Sequence, residues 1–506
     1  MHRIHPDRAH PLHHLVSTRA LEATWLKRLP AHTLMQRAGQ SLARLAQALA
    51  PHAQTIWVAC GGGNNGGDGW EAAYHLQRQG FRPVVTWLGS PDRCSADSLA
   101  SRLAALQAGV IYQEHPPELG PDDLCIDALL GIGLARQTAS SDTPAGGPSS
   151  GRRLTDWIER INGSSATVLA ADIPSGLCAD RGIPALATGA VRADHTLSLL
   201  TLKPGLFTAQ GRDHAGAVWL DNLEIPSPTT HADAWLSPPP PCYHHHHGNH
   251  KGSYGDVQVL GGEGLSRRGM GMTGAALLAG RAALHAGAGR VLVALLDTDG
   301  SRLSVDMTQP ELMLRSPDAL ILGNGVLVCG CGGGDAIEHW LPQALTEAPR
   351  LLLDADALNV LARHPDWMPM LEKRRQRGWD TVLTPHPLEA SRLLGTTAAS
   401  IQDDRLAAAQ ALAARTGAVT VLKGSGTVIA QTGQTPHINP TGNALLATAG
   451  TGDVLAGLIG ALWAQPGTLA FSAACQGVYL HGQAADQWPA HQGFTAGALA
   501  SALRRP

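Results

Sequence analysis

The sequence lacks the segments that carry a chain into or across a membrane. No apolar run approaches the roughly 20 residues that are needed to span a bilayer. The N-terminal segment, residues 1–14, is polar and rich in histidine, and it has no apolar core like that of a signal peptide. We therefore expect a cytoplasmic protein that has no membrane partner.

The sequence also lacks a large excess of charge of either sign. Its formal net charge is -3 at pH 7. This balance provides neither the basic patch that attracts nucleic acid nor an acidic tail. We therefore expect small-molecule substrates rather than a nucleic-acid partner, and a homo-oligomeric assembly.

Cysteine is sparse, with eight residues in the chain, and it shows no regular spacing. The nearest approach to a motif is Cys329-Gly-Cys331, and no second cysteine pair accompanies it to complete a zinc site. In a reducing cytoplasm this pattern predicts free thiols, several of them in buried strands.

What the chain does contain is enough apolar sequence for more than one core. It has 506 residues, 44% of them hydrophobic and 16% charged, so two or three globular domains are expected. A proline-rich stretch from Ile225 to Pro241 has the composition of an extended spacer. We predict a first domain over residues 1–226, a linker over 227–243 and a second domain over 244–506.

Both predicted domains alternate apolar strands with helix-like patterns, which indicates parallel sheets covered on both faces. In the first, strands are predicted near residues 55–59, 84–88, 124–129 and 167–171, with helices near 70–79, 96–109 and 154–161. In the second, strands are predicted near 257–260, 291–295, 351–353, 382–384 and 419–422, with helices near 274–285, 355–362, 388–394, 405–415 and 453–463. The fold class predicted is α/β in both halves.

A glycine-rich loop at residues 61–69, Gly-Gly-Gly-Asn-Asn-Gly-Gly-Asp-Gly, joins the first of these strands to a helix. Backbone N–H groups at a helix N-terminus bind phosphate well, and glycine lets a ligand approach the backbone closely. The paired Asn64 and Asn65, followed by Asp68, separate it from the dinucleotide fingerprint G-x-G-x-x-G and add polar side chains.

Two further polar clusters follow strands of the first domain, where the ligands of an open parallel sheet gather. One begins at Asp127 and runs to Arg136, and the other is Asp172-Ile-Pro-Ser-Gly176. Taken alone, each cluster is equally consistent with a capped turn between a strand and a helix.

Together these motifs, with Leu34-Met-Gln-Arg-Ala-Gly39 and Thr201-Leu-Lys-Pro-Gly205, resemble the NAD(P)H-hydrate epimerase family over residues 10–225. The resemblance implies a Rossmann-like three-layer sandwich with Asp172 in a catalytic role. It also implies a potassium ion on Asn65, Asp127 and Ser175, which are hard oxygen donors suited to an alkali ion. The substrate residues implied are Asn64, Asn65, Gly66, Gly67, Asp68, Gly131, Ile132, Gly133, Leu134, Ala135, Arg136, Gln137 and Asp172.

In the second half, residues 439–443 lead into Ala449-Gly-Thr-Gly-Asp453 and a predicted helix. Glycines at a helix start form an anion hole, and Asp453 is well placed to take a proton from a substrate hydroxyl. Upstream, Lys423-Gly-Ser-Gly-Thr427 offers a cation, N–H groups and a hydroxyl to nucleotide phosphates, although it is not a Walker loop.

Other polar clusters of the second half have structural alternatives. Asp354 and Asp356 are consistent either with site residues or with helix caps. His386 lies between two prolines, so it is either held for a ligand or packed as a structural histidine.

In this order the motifs resemble the ADP-dependent NAD(P)H-hydrate dehydratases, of the ribokinase-like superfamily, over residues 248–503. The resemblance implies Asp453 as catalytic base, and Mg²⁺ with the nucleotide. It implies Lys423, Gly424, Ser425, Gly426, Thr427 and Gly452 at the nucleotide, and Ala275, Gly332, Gly334, His386 and Asp453 at the substrate. Where the family has Gly-Pro-Gly-Leu-Gly, this chain has Gly330-Cys-Gly-Gly-Gly334, from which we expect a more flexible loop.

The two resemblances imply one repair pathway for nicotinamide cofactors that have been hydrated at C6. The first domain would interconvert the R and S epimers of NADHX and NADPHX, and the second would dehydrate the S epimer with ADP. Two alternatives stay open at this point. One is a ribokinase-like small-molecule kinase fused to a cofactor-binding domain, and the other is a cofactor-binding scaffold without activity.

Overall fold

The computed structural model describes residues 1–134, 147–226, 231–242, 246–296 and 303–504. The chain divides into two compact units. The N-terminal unit comprises Met1–His5 and His10–Ala234, and the C-terminal unit comprises Pro6–Ala9 and Trp235–Pro506. In the described part of the chain, no helix is both long and apolar enough to cross a bilayer.

The N-terminal unit is built on a mainly parallel sheet. Its central strands are buried along their whole length, as expected when helices cover both faces. Only the edge pair, His2–Arg3 with Ala217–Asp221, is antiparallel among the pairings of the described residues. In spatial order the strands are His2–Arg3, Ala217–Asp221, His195–Leu199, Thr167–Ala171, Leu124–Ala128, Ile56–Cys60, Pro83–Trp87 and Ile111–Tyr112.

The helices of this unit connect the parallel strands. A short strand, His10–Leu12, forms a bridge at Leu202. Short 3-10 turns lie at Pro91–Arg93, Ile132–Leu134 and Pro204–Leu206. The α-helices are Leu15–Leu26, Thr33–Leu49, Asn64–Arg78, Ala96–Gln107, Gly147–Asn162 and Gly211–His214.

The C-terminal unit contains a second, longer sheet, parallel from its first strand to Val419–Leu422 and antiparallel over the next two pairings. In spatial order its strands are Met313–Arg315, Arg290–Leu295, Asp256–Gly261, Val326–Cys329, Arg350–Leu353, Asp380–Leu383, Val419–Leu422, Val428–Ala430, His437–Ile438 and Ala234–Leu236.

Helices cover this second sheet. Short 3-10 turns lie at Lys251–Tyr254, Pro317–Ala319, Pro365–Trp367 and Ala444–Leu446. The α-helices are Leu265–Arg268, Thr273–His285, Ile337–Glu347, Asp356–Arg363, Met368–Gln376, Pro387–Leu394, Ala398–Asp403, Arg405–Thr416, Thr451–Ala464, Ala470–Asp486 and Ala496–Ala502.

The helix Thr451–Ala464, here called the Asp453 helix, is central to the C-terminal unit. Nearly all of its residues are buried, and it packs closely on Thr273–His285. At Gly457 an added Cβ would lie 2.0 Å from the carbonyl oxygen of Ala279, so only glycine permits this approach. A small residue therefore lets these two helices pack closely against each other.

The α/β prediction is confirmed for both units, and every predicted strand and helix is present within a few residues of its expected bounds, with two larger differences. The helix expected over residues 154–161 begins at Gly147. The helix expected from Trp70 begins at Asn64, so most of the glycine-rich loop is helical. Glycine disfavours a helix by about 1 kcal/mol per residue, but packing prevails here. A Cβ added to Gly66 would lie 2.0 Å from the carbonyl oxygen of Gly61, and one added to Gly67 would lie 2.6 Å from Met35 Cε.

The predicted linker contains regular structure. Within it, Trp235 and Leu236 pair in parallel with His437 and Ile438, and the division between the two units falls just before Trp235. Leu236 and Ser237 are buried. The predicted domain bounds remain a hypothesis. This strand indicates that a cut before Trp235 would destabilise the C-terminal unit less than a cut after it.

We expect a C-terminal fragment that begins at His231 to be more stable than one that begins at Tyr243. The shorter fragment loses the edge strand with Trp235 and Leu236, and burial of a leucine side chain alone is worth about 2 kcal/mol. Thermal unfolding of the two fragments checks this. Equal midpoints would mean that the strand contributes nothing to the folded unit.

Candidate active sites

A cavity of about 1200 Å³ opens in the N-terminal unit beside the start of the helix Asn64–Arg78, here called the Asn64 helix. Its walls include seven of the residues predicted at the substrate, namely Asn64, Asn65, Asp68, Gly131, Ile132, Gly133 and Asp172. Gly66 and Gly67 do not line it, because they are buried in the packing of the helix. Leu134 ends a 3-10 turn, and the predicted site residues Ala135, Arg136 and Gln137 lie outside the described residues.

The Asn64 helix presents two asparagines in different environments. Asn64 is exposed and accepts a hydrogen bond from Ser95 Oγ at 2.8 Å. Asn65 is only 9% exposed, and its Nδ2 has no hydrogen-bond partner among the described residues. A buried amide group without a hydrogen-bond partner is costly, which makes the Asn65 side chain a candidate to bind a ligand in the cavity.

Asp127 and Ser175 form a buried pair beneath the cavity. Ser175 donates to Asp127 from its Oγ at 2.6 Å and from its backbone N–H at 2.8 Å, and the Leu130 N–H donates to Ser175 Oγ at 2.8 Å. Burial raises the pKa of Asp127 to about 6, although these hydrogen bonds oppose the shift. No basic side chain of the described residues forms an ion pair with Asp127, so a cation here would stabilise its charged form.

Asp172 lies at the end of the strand Thr167–Ala171 with a φ of 66°, a left-handed conformation that is rare outside glycine. Its Oδ1 accepts hydrogen bonds from Lys203 Nζ and from the Leu199 N–H. Lys203 is fully buried and also donates to the Leu199 carbonyl at 2.8 Å. The strained backbone thus aims a carboxylate, paired with a buried ammonium group, into the cavity.

Two more acidic groups face the same cavity. Burial, followed by the negative charges of Asp172 and Glu22, raises the pKa of Asp68 well above its ordinary value. Burial and the charge of Asp172 likewise raise the pKa of Glu22. Carboxyl groups whose pKa is raised by burial and by neighbouring negative charge are candidates for acid–base chemistry.

The sequence analysis missed the contribution of Leu15–Leu26 to this cavity. Thr18, Arg19 and Glu22 line it, and Arg19 Nη2 donates to the Ile132 carbonyl at 3.1 Å. It also assigned no role to Lys203, although the motif Thr201–Gly205 contains that residue. A lysine beside a proline in an otherwise apolar segment was the available signal.

The predicted residues of the C-terminal unit gather around Asp354, at the end of the strand Arg350–Leu353. Asp354 Oδ1 accepts from Lys423 Nζ at 2.8 Å and from Thr384 Oγ1 at 2.6 Å. Donor atoms of Cys331, Asp354 and Asp453 all lie within 4.8 Å of one another. Asp354 is therefore a site residue that connects Lys423 with Asp453, and it does not cap a helix.

Asp453 lies in the first turn of its helix, as predicted. Burial and the negative charge of Asp354 raise the pKa of Asp453 to about 7, while Lys423 opposes this shift. At Gly452 an added Cβ would lie 3.4 Å from Lys423 Nζ, which places the helix start against the lysine. A carboxylate of such pKa is suited to accept a proton near neutral pH.

Two acidic residues lie beside Lys423: Asp354 follows the strand Arg350–Leu353, and Glu389 is in the helix Pro387–Leu394. Burial lowers the pKa of Lys423, but the charges of Asp354 and Glu389 outweigh burial, so the net pKa is raised and Lys423 is cationic. Glu389 Oε2 lies 4.0 Å from Lys423 Nζ, and Glu389 is buried. Glu389 is a second residue that the sequence analysis missed.

His386 is both a helix cap and a wall of this site. Its Nδ1 accepts from the N–H groups of Leu388 and Glu389 at 3.1 and 3.3 Å. The side chain is nevertheless 46% exposed, and its Nε2 lies 3.2 Å from Glu389 Oε1. His386 therefore has a structural role as a helix cap. Because its side chain is about half exposed, it is also accessible to a ligand.

The loop Gly330–Gly334 is tightly connected despite its glycine content. Its Cys331 and Gly332 carbonyls accept hydrogen bonds from the N–H groups of Gly262 and Glu263, at 3.0 and 2.7 Å. Gly332 packs on Ala275, since an added Cβ would lie 2.8 Å from the Ala275 Cβ. Gly334 donates its N–H to Asp356 Oδ2 at 2.8 Å. These contacts connect the loop to the neighbouring segments at several points, while its expected flexibility stays a prediction.

Comparisons with known proteins agree with this division into two sites. The family described as YjeF-related protein N-terminus matches residues 31–205, and the family described as NAD(P)H-hydrate dehydratase matches residues 260–505. A bifunctional NAD(P)H-hydrate repair enzyme Nnr from Escherichia coli (strain K12) is 36% identical over 504 residues, covering 95% of this chain and 90% of that protein. This chain belongs to the bifunctional NAD(P)H-hydrate repair enzyme family.

Two further relatives match its second half. An ADP-dependent (S)-NAD(P)H-hydrate dehydratase from Neisseria meningitidis serogroup B is 42% identical over 262 residues, which cover 50% of this chain and 84% of that protein. Among solved structures, the ADP/ATP-dependent NAD(P)H-hydrate dehydratase from Bacillus subtilis, co-crystallised with ATP/Mg²⁺, has 28% identity and a TM-score of 0.42. The match covers 51% of the present chain and 91% of the Bacillus subtilis protein.

Proposed function

We propose that this protein repairs hydrated nicotinamide cofactors in two steps. The N-terminal unit interconverts R- and S-NAD(P)HX, and the C-terminal unit converts S-NAD(P)HX to NAD(P)H at the expense of ADP. The main support is that one chain holds two separate polar sites, each assembled from the residues that its family resemblance implies. The alternatives are a ribokinase-like small-molecule kinase fused to a cofactor-binding domain and a cofactor-binding scaffold without activity, and neither would repair NADHX.

In the N-terminal site we propose that Asp172 moves a proton at the substrate, with Lys203 stabilising its charged form. Asn64, Asn65 and Asp68 would bind the nucleotide portion beside the helix start. A potassium ion, bound by Asn65, Asp127 and Ser175, would hold the following loop against the substrate. The set fits an alkali ion, because it combines a buried carboxylate, a hydroxyl and the side-chain oxygen of a buried amide, which are all hard oxygen donors.

Epimerisation should depend on potassium. Replacing K⁺ in the buffer by Na⁺ or by tetramethylammonium is expected to lower the rate of epimer interconversion, because the ion orders the loop after Asp127. The rates of interconversion of separated epimers, followed by chromatography, measure this. Dehydration of the S epimer serves as the internal control, and an unchanged epimerisation rate would remove the ion from the mechanism.

In the C-terminal site we propose that Asp453 takes the proton of the substrate hydroxyl, whose oxygen then attacks the terminal phosphorus of ADP. This transfer leaves AMP, and loss of the phosphate from C6 together with a proton from C5 then restores the ring double bond and completes the dehydration. Lys423 to Thr427 and Gly452 would bind the nucleotide phosphates, while His386, Ala275, Gly332 and Gly334 would contact the damaged cofactor.

A magnesium ion would neutralise charge on the phosphates during transfer. In this site, the protein oxygens that could bind a metal ion are the carboxylate oxygens of Asp354 and Asp453. The third member of that cluster, Cys331, is a soft ligand that Mg²⁺ does not favour, and Lys423 already pairs with Asp354. We therefore propose that the phosphates, and not a protein cage, supply most of the magnesium ligands.

One assay separates this proposal from its alternatives. The full chain is incubated with a mixture of NADHX epimers, ADP, Mg²⁺ and K⁺, and the absorbance band of NADH is followed. Complete recovery supports both activities, whereas a stop near half conversion indicates dehydration without epimerisation. Phosphorylation of hydroxymethylpyrimidine or hydroxyethylthiazole with no recovery of NADH would support the kinase, and no turnover at all would support the scaffold.

A further inference from the structure

Arg405 is a buried arginine that forms no ion pair with the residues that the structure describes, and it lies against the loop Lys423–Thr427. Its side chain is 1% exposed. Nη2 donates to the carbonyls of Leu422 and Lys423, each at 3.1 Å, and Nη1 donates to Gln402 Oε1 at 2.6 Å. Nε is buried without an acceptor among the described residues. Each of these partners is neutral, and no acidic side chain of the described residues forms an ion pair with Arg405.

The backbone of the loop passes immediately over this guanidinium group. At Gly424 an added Cβ would lie 2.8 Å from Arg405 Nη2 and 2.9 Å from Nη1. Gly424 itself is exposed and has a φ of 139°, which only glycine adopts easily. Glycine at this position therefore separates the buried cation from the outer face of the loop by little more than the thickness of the backbone.

Burying a cation without an ion-pair partner costs free energy. A role of this charge in binding an anion would explain why the fold retains it. Burial lowers the pKa of Arg405 to about 10, so the guanidinium stays charged at neutral pH. Because protein rather than water surrounds it, its field is screened less than that of a surface arginine. Gly424, which is exposed, lies beside the guanidinium group, so a ligand on this loop would be close to the charge.

We propose that Arg405 is a positioning residue for nucleotide binding: it fixes the backbone carbonyls of Leu422 and Lys423, and its unpaired charge attracts the phosphates of a nucleoside diphosphate bound on the outer face of the loop. This inference rests on the proposed function of that loop. Lys423 supplies a positive charge that Asp354 already neutralises in part. Arg405 supplies a second positive charge, which no acidic side chain of the described residues neutralises.

The C-terminal unit contains a matched control. Arg374 is also 1% exposed, and it donates to the carbonyls of Leu345 and Ala348 at 3.0 and 2.7 Å. Burial lowers its pKa to about 10 as well. None of its hydrogen-bond partners belongs to the loop Lys423–Thr427. Loss of Arg374 should therefore disturb folding as much as loss of Arg405, without affecting a nucleotide.

The test measures binding of ADP and of uncharged adenosine to the full-length protein by calorimetry, for the wild type, Arg405→Gln, Arg405→Lys and Arg374→Gln. We expect Arg405→Gln to weaken ADP binding about tenfold and adenosine binding less than about twofold, as loss of one charge at short range predicts. Arg405→Lys should recover most of the affinity for ADP. Arg374→Gln should change neither affinity, although its thermal midpoint falls.

Gln402→Glu provides a second route that leaves the core intact if Arg405→Gln does not fold. The exposed Gln402 already contacts Nη1, so a carboxylate there would neutralise the guanidinium and lower ADP affinity several-fold without loss of stability. An unchanged ratio of ADP to adenosine affinity in the variant that folds would overturn the inference. Failure of the wild-type protein to bind ADP would overturn the proposed function of the loop, and the inference with it.

Discussion

Replacing Asp453 by asparagine should lower the rate of dehydration at least about a hundredfold, the scale typical for loss of a general base. The substitution keeps the size of the side chain and removes its basicity. It also removes a charge from a buried cluster with Asp354, so the fold should not be weakened. Dehydration of purified S-NADHX with saturating ADP is the measurement, and epimerisation by the same variant should be unchanged.

The pH dependence of the wild type provides an independent check. Burial and Asp354 raise the pKa of Asp453 to about 7, and a base acts only when it is deprotonated. The dehydration rate should therefore increase with pH up to about 7 and level off above it. Asp366→Asn, at an exposed aspartate outside the site, is the control and should behave as the wild type. Full activity of Asp453→Asn would exclude Asp453 as the base.

The second large effect is expected in the N-terminal unit. Asp172→Asn should lower epimer interconversion about a hundredfold and leave dehydration of the S epimer unchanged, because the carboxylate that faces the cavity loses its basicity. The same change leaves the buried Lys203 without its ion-pair partner. Loss of one partner of a buried ion pair typically lowers the free energy of unfolding by about 3–5 kcal/mol.

The loss of stability has to be separated from the loss of activity. Asp172→Asn combined with Lys203→Met removes the unpaired charge, so it should restore the thermal midpoint but not epimerisation. Asp194→Asn is the matched control, since Asp194 accepts a hydrogen bond from the Val168 N–H in the same sheet and does not line the cavity. Recovery of epimerisation in the double variant would assign Asp172 a role in folding only.

Strand and helix positions could be predicted because they depend on local patterns of apolar residues. The helix that carries Asp453 was expected over residues 453–463 and occurs at Thr451–Ala464, since its glycines and aspartate mark a helix start in any context. The start of the Asn64 helix could not be predicted in this way. Its glycines disfavour a helix locally, and they are accommodated only because Met35 and Gly61 approach so closely.

By itself the sequence determined the α/β class of both halves, the positions of the polar motifs at strand ends, and the resemblance to two families. These depend on short stretches of chain. Only the tertiary structure decided which groups meet across them. Lys203 pairs with Asp172, Glu389 and Asp354 hold Lys423, and Arg405 lies behind Gly424. Burial and charge act through space, so their effects on a carboxylate or a lysine follow from neighbours that are distant in the sequence.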